Sequence, residues 1–133
     1  MIEAVADTHA ALWLLTNDLR LSTVAKDTFL AIAGRGNQVG LSAITFAEMV
    51  YLVEKHRIGA TQFSDLAQRA ETVGAFLTVV PLDLAVSRSM TRVSAAEVPD
   101  MPDRIIAATA IMLGVPLISR DSKIRASAIQ TIW

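Results

Sequence analysis

Apolar residues recur along this chain in two rhythms, short continuous runs and longer stretches at helical spacing. Ile2 to Ala6 is a short run that stops at Asp7-Thr8-His9, after which Ala10, Ala11, Leu12, Leu14 and Leu15 follow a helical pattern. Ser22 or Thr23 caps a second helix, whose apolar positions Val24, Ala25, Phe29, Leu30 and Ile32 continue until Gly34-Arg35-Gly36-Asn37. Gln38 to Leu41 reads as the next strand. Thr45-Phe46-Ala47-Glu48 has the form of a capping box and predicts a helix from Thr45 to about His56. Another helix opens at Thr61, ends near Gly74, and leads to the β-rich run Phe76 to Val80 that Pro81 closes. Leu84 to Val93 is helical, and Glu97 to Asp103 reads as a loop. The apolar helix Asp103 to Leu113 has Pro102 at its first position and stops at Gly114. A buried strand, Pro116 to Ser119, a short helix and an edge strand, Ile129 to Trp133, complete the chain. Short apolar strands alternating with helices imply an α/β fold in which a parallel sheet is covered on both faces.

Composition narrows the class. The 133 residues are 53% hydrophobic and 19% charged, which excludes disorder and predicts one domain over residues 1–133. With 12 Lys+Arg against 13 Asp+Glu, the formal charge is −1, so there is no overall basic field and any affinity for nucleic acid has to come from a local patch. Most of the cations are arginines, which suit bidentate phosphate contacts. The absence of cysteine excludes disulfides, thiolate zinc sites and cysteine nucleophiles. No basic leader precedes the first strand, and the run Ile105 to Ile118 is interrupted and shorter than the ~20 residues of a membrane helix. A cytoplasmic protein without a membrane association is expected.

In a parallel sheet the C-terminal strand ends share one edge, where ligands bind. Asp7 ends the first strand and Asp121 follows the strand Leu117-Ile118-Ser119. Glu48 lies one turn into the helix after the second strand and points back toward that edge. The helix starting at Asp103 runs for roughly 16 Å before the chain returns through Gly114 into a strand, which sets Asp103 above that strand's end. Each acid also has a structural reading, as a helix cap, as half of a capping box, or as a complement to a helix dipole. Together, four like charges would raise one another's pKa values unless a cation sits among them, and hard oxygen donors of this kind suit magnesium or manganese.

Four segments carry a family resemblance: Asp7-Thr8-His9 after a strand, Leu41 to Glu48, Asp103 to Ala110, and Leu117 to Asp121. In order and spacing they resemble PIN-domain nucleases, specifically the VapC toxins of bacterial toxin–antitoxin pairs, over about Ile2 to Trp133. The resemblance implies a PIN-like three-layer α/β/α sandwich and an endoribonuclease that hydrolyses RNA phosphodiesters through metal-activated water. It implies one or two Mg2+ or Mn2+ ions, with Asp7 and Asp103 the most direct ligands and Glu48 and Asp121 binding directly or through water. Ser119 stands where relatives often have threonine and is placed to hydrogen-bond the cluster. Asp100 is an auxiliary acid whose register is shifted by Met101-Pro102, and Arg104 meets either a substrate phosphate or a neighbouring acid. By the same resemblance the partners are RNA, a VapB-type antitoxin that blocks the acidic edge through an apolar groove near the first helices, and a second copy in a homodimer.

Other readings compete. His9 is read as a structural residue at a helix start, Thr8 and Ser42 as turn residues, and Trp13 and Trp133 as packing residues. A non-catalytic PIN-like binding module, with purely structural acids, is the alternative. Dehalogenase-like phosphatases and receiver domains fail, because Asp7-Thr8-His9 lacks a second aspartate and no lysine follows a late strand. P-loop chemistry lacks its Gly-Lys-Ser/Thr.

Overall fold

The computed structural model describes residues 1–133. Five parallel strands, β1 (Ile2–Ala6), β2 (Gln38–Ser42), β3 (Leu77–Val80), β4 (Leu117–Ile118) and β5 (Thr131–Ile132), form one sheet in the order β3-β2-β1-β4-β5. The first strand is central, as a mostly alanine and valine strand must be if it is to be covered on both faces. Its alternation divides the core. Ala4 and Ala6 join one buried cluster and Val5 the other, just as Ile118 and Leu117 separate on β4.

The first cluster is covered by α1 (Thr8–Leu15), α2 (Thr23–Gly34), α3 (Ala43–Glu54) and α4 (Ala60–Glu71), through Ala10, Phe29, Met49 and Leu66 among others. The opposite cluster is covered by α5 (Leu84–Ser89), α6 (Met101–Leu113) and α7 (Ser122–Ala126), through Val86, Ile106 and Ile124. A three-layer α/β/α sandwich results. Small residues set its thickness: Ala10 and Ala11 on α1, and Ala107, Ala108 and Ala110 on α6, are fully or almost fully buried against the sheet. No helix is long and apolar enough to cross a membrane.

Several boundaries differ from those the local pattern predicts. The third helix starts at Ala43, because Ser42 ends β2 and at once caps α3 by accepting from the Ile44 N–H at 3.3 Å. The capping box expected at Thr45 and Glu48 is therefore absent. Asp100 in turn caps α6 through the Asp103 N–H at 3.2 Å, so the helix takes in Met101 and Pro102, the latter at the second position. Proline is tolerated there because a first-turn N–H has no intrahelical partner. The helix predicted from Leu84 to Val93 is α5 followed by a 3-10 turn, Met90–Arg92.

At its far end α6 is stopped by Gly114 in the left-handed conformation, φ +68°, which turns the chain back into β4. Open space surrounds the position where its Cβ would be, so only the backbone conformation is at stake. Gly114→Ala is expected to lower the unfolding free energy by about 1 kcal/mol, measured by urea denaturation, without altering the folded-state circular dichroism spectrum.

Candidate active site

The C-terminal strand ends bring the acids together by short connections. The Asp7 N–H donates to the Ile118 carbonyl at 3.0 Å, which continues the β1–β4 ladder and sets Asp7 beside Ser119. Asp7 then caps α1, accepting from the Ala10 N–H at 2.8 Å. Asp121 caps α7 in the same way, accepting from the Ile124 N–H at 2.9 Å, while the fully buried Ser119 hydroxyl accepts from the Asp121 N–H at 3.1 Å. The Ser119 side chain also favours the charged form of Asp7, so one hydroxyl acts on both aspartates.

Glu48 projects from the second turn of α3. The Thr8 hydroxyl donates to its Oε1 at 2.6 Å and lies 3.1 Å from the hydroxyl of the fully buried Thr45. Thr45, expected to be a helix cap, instead supports the threonine that fixes Glu48. Asp103 occupies the first turn of α6 beside the cap residue Asp100 and accepts no hydrogen bond from the protein.

These five carboxylates line one cleft of about 360 Å³ together with Thr8, His9, Trp13 and Arg120. Asp7, Glu48, Asp100, Asp103 and Asp121 are thus brought together, with Ser119 buried beneath them. Arg104 is not. Its Nη2 donates to the Met90 and Val93 carbonyls at 3.2 and 3.3 Å, and its buried Nε has no partner, so it clasps the turn after α5 to α6. His9, read from the sequence as a structural residue, and Arg120, which did not stand out there, both enter the cleft. The signal for Arg120 was its place between Ser119 and Asp121, at the same sheet edge as the acids.

Electrostatics follow from this crowding. Burial raises the pKa of Asp7, opposed by the Ser119 side chain, the Ala10 N–H and the charge of His9. Burial likewise raises Glu48, and the Thr8 hydroxyl and His9 oppose it. Asp103 has no such relief: burial, then the charges of Asp100, Asp121, Glu48 and Asp7, push it up to about 7. Such a set of hard oxygen donors, with one imidazole and no thiol, fits a hard divalent cation. In the arrangement described, no three of the acid and histidine side chains are poised around one point, so an ion would have to draw them together by side-chain rotation.

The fold and the site thus define a parallel-sheet α/β/α domain that gathers five carboxylates in a cleft at its C-terminal edge. The chain belongs to the PIN domain family, whose sequence model matches residues 4–129. It is similar to Ribonuclease VapC22 of Mycobacterium tuberculosis, with 28% identity over 130 residues that cover 94% of this chain and 92% of that protein. Its fold is that of a chain in the crystal structure of VapBC2 from Rickettsia felis bound to a promoter DNA fragment, with TM-score 0.69 and 18% identity over 98% of this chain and 97% of that one. A toxin-antitoxin complex from Klebsiella pneumoniae contains a similar chain, with TM-score 0.60, 20% identity, and 98% and 97% coverage.

The raised pKa of Asp103 links pH to stability. The folded protein keeps a proton that the unfolded chain has lost, so the metal-free protein loses stability as pH rises from about 4 to about 7. Asp103→Asn is expected to stabilise the metal-free protein by about 2 kcal/mol at pH 7.5 and to have little effect at pH 4, as read from denaturant melts at the two pH values. Arg104→Ala is expected to cost about 1 to 2 kcal/mol at both pH values, because the carbonyls it serves belong to a structural turn.

Proposed function

We propose that this protein is a metal-dependent endoribonuclease acting as the toxin of a VapC-type pair, neutralised by a cognate antitoxin. The observation that carries the reading is the concentration of five carboxylates around one cleft, where burial and then the neighbouring charges push Asp103 up to about 7. Membership of the PIN domain family and similarity to a protein named as a ribonuclease support RNA as the substrate.

In this reading Asp7 and Asp103 hold one or two Mg2+ or Mn2+ ions most directly, with Glu48 and Asp121 binding directly or through water. A bound divalent ion supplies the charge that a phosphodiester needs under attack and lowers the pKa of water. The chain's own groups preorganise the rest. Caps on α1 and α7 hold Asp7 and Asp121 in place, the Ser119 hydroxyl accepts from the Asp121 N–H, and Thr8 holds Glu48. No side-chain nucleophile is needed: water attacks phosphorus and a ribose oxygen leaves.

The antitoxin belongs to the same reading, as does a homodimer. A groove of about 440 Å³ between α1, α3 and α4 is lined by Leu12, Tyr51, Leu52 and Ile58 and shares His9, Trp13 and Glu48 with the acidic cleft. A segment lying along it would reach the acids, and one chain of similar fold belongs to a toxin-antitoxin complex.

The second reading, a binding module whose acids are structural, draws on the three caps made by Asp7, Asp100 and Asp121 and on the unconverged side chains. Asparagine separates the two, because it caps as well as aspartate but carries no charge. Purified protein is expected to cut a mixed RNA pool with magnesium or manganese and to stop with EDTA. Asp7→Asn and Asp103→Asn should lose more than the ~10–100-fold typical of groups outside the ligand set. Absence of both cleavage and divalent-ion binding by calorimetry would leave the acids a structural role.

A further inference from the structure

Arg120 is the one guanidinium that lines the acidic cleft, yet none of the five carboxylates there pairs with it. Carboxylates usually capture a neighbouring guanidinium in a bidentate grip. Here the guanidinium carbon instead lies 4.5 Å from the centroid of the Trp13 ring, over the indole face. That face offers a competing attraction, and it leaves the N–H groups of the guanidinium edge free. Arg120 is exposed, and its side chain donates no hydrogen bond within the protein.

The seat under it is rigid. Trp13 is only 5% exposed, packs edge-on against Trp133 at 5.8 Å between centroids, and meets His9 at 5.6 Å. Arg20 lies over the same indole at 5.0 Å, but its Nε and Nη2 are committed to Asp18 at 3.0 and 2.8 Å. Two guanidiniums thus share one tryptophan: Arg20 is paired with Asp18, while Arg120, whose charge also favours the ionised Asp18, makes no hydrogen bond or ion pair and lines the cleft that the five acids line. A polyanionic strand approaching five carboxylates meets repulsion unless a cation receives it, and Arg120 is placed to do so.

We propose that Arg120, seated on Trp13, is the phosphate-binding residue of the cleft and takes the non-bridging oxygens of an RNA phosphodiester beside the acids. The assignment rests on the nuclease reading and adds to it a substrate contact outside the acidic set. Arg104, one residue after Asp103, has no part in it, since its guanidinium serves backbone carbonyls.

The test is binding of a labelled single-stranded RNA pool to the uncleaving Asp103→Asn protein, followed by fluorescence anisotropy over a salt series, with and without Arg120→Ala or Arg120→Lys. Arg120→Ala is expected to weaken binding about 10-fold and to flatten the log–log salt slope by about 1. Arg120→Lys should keep the slope but recover only part of the affinity, because lysine lacks the planar fork. In the cleaving background KM should rise, while thermal melts stay unchanged for this exposed residue. If Arg120→Ala binds RNA as tightly as its parent with the same slope, the assignment is overturned and the nuclease reading stands. If the Asp103→Asn parent binds no RNA and the wild type cuts none, the nuclease reading falls and takes the assignment with it.

Discussion

Five negative side chains at one end of the sheet repel one another, and the fold holds them there by giving three of them a second task. Asp7, Asp100 and Asp121 each cap the helix that follows, so each accepts a backbone N–H and lies at the positive end of a helix dipole. Capping and clustering are thus the same contact seen from two sides. The compensation is uneven, however. Glu48 has the Thr8 hydroxyl and Asp7 has Ser119 and Ala10 to offset their burial, whereas burial and then its neighbours' charges push Asp103 up with no hydrogen bond to oppose them.

This arrangement costs stability in the metal-free protein, because burial and like charge raise Asp7, Glu48 and Asp103 alike. Functional sites commonly keep such unfavourable electrostatics because the surrounding structure over-determines them. Here the surrounding structure consists of the β1–β4 ladder, which sets Asp7 beside Ser119, and α6, whose alanine face packs closely on the sheet. Gly114 then turns the chain directly into β4, so Asp103 and Asp121 return to the same edge after a full helix.

Arginine chemistry is divided by tertiary context. Arg104 stands next to a cluster acid in sequence and is turned away to bind carbonyls, whereas Arg120 stands next to another and is kept in the cleft by Trp13. Trp13 is a core residue by burial and also part of the cleft wall, so the packing role expected for it and a role at the site are compatible. His9 behaves similarly: it begins a helix, as expected, and its charge eases the ionisation of Asp7 and Glu48.

Strand and helix alternation, the parallel sheet and the edge shared by Asp7, Glu48, Asp103 and Asp121 were legible in the sequence, because apolar periodicity and crossover geometry are local or topological properties. Helix starts were less legible. Ser42 and Asp100 won over Thr45 and Pro102 as first signals because a cap needs only one side chain near two free N–H groups, and several residues in each segment qualified. Whether an acid was a cap or part of a cluster was open in the sequence, and the fold answers that Asp7 and Asp121 are both. The sequence by itself determined which residue types reach the sheet edge and in what order. Only tertiary structure decided that Thr8 holds Glu48, that Arg104 leaves and that Arg120 stays, because a side chain's direction depends on partners from distant segments that no spacing along the chain records.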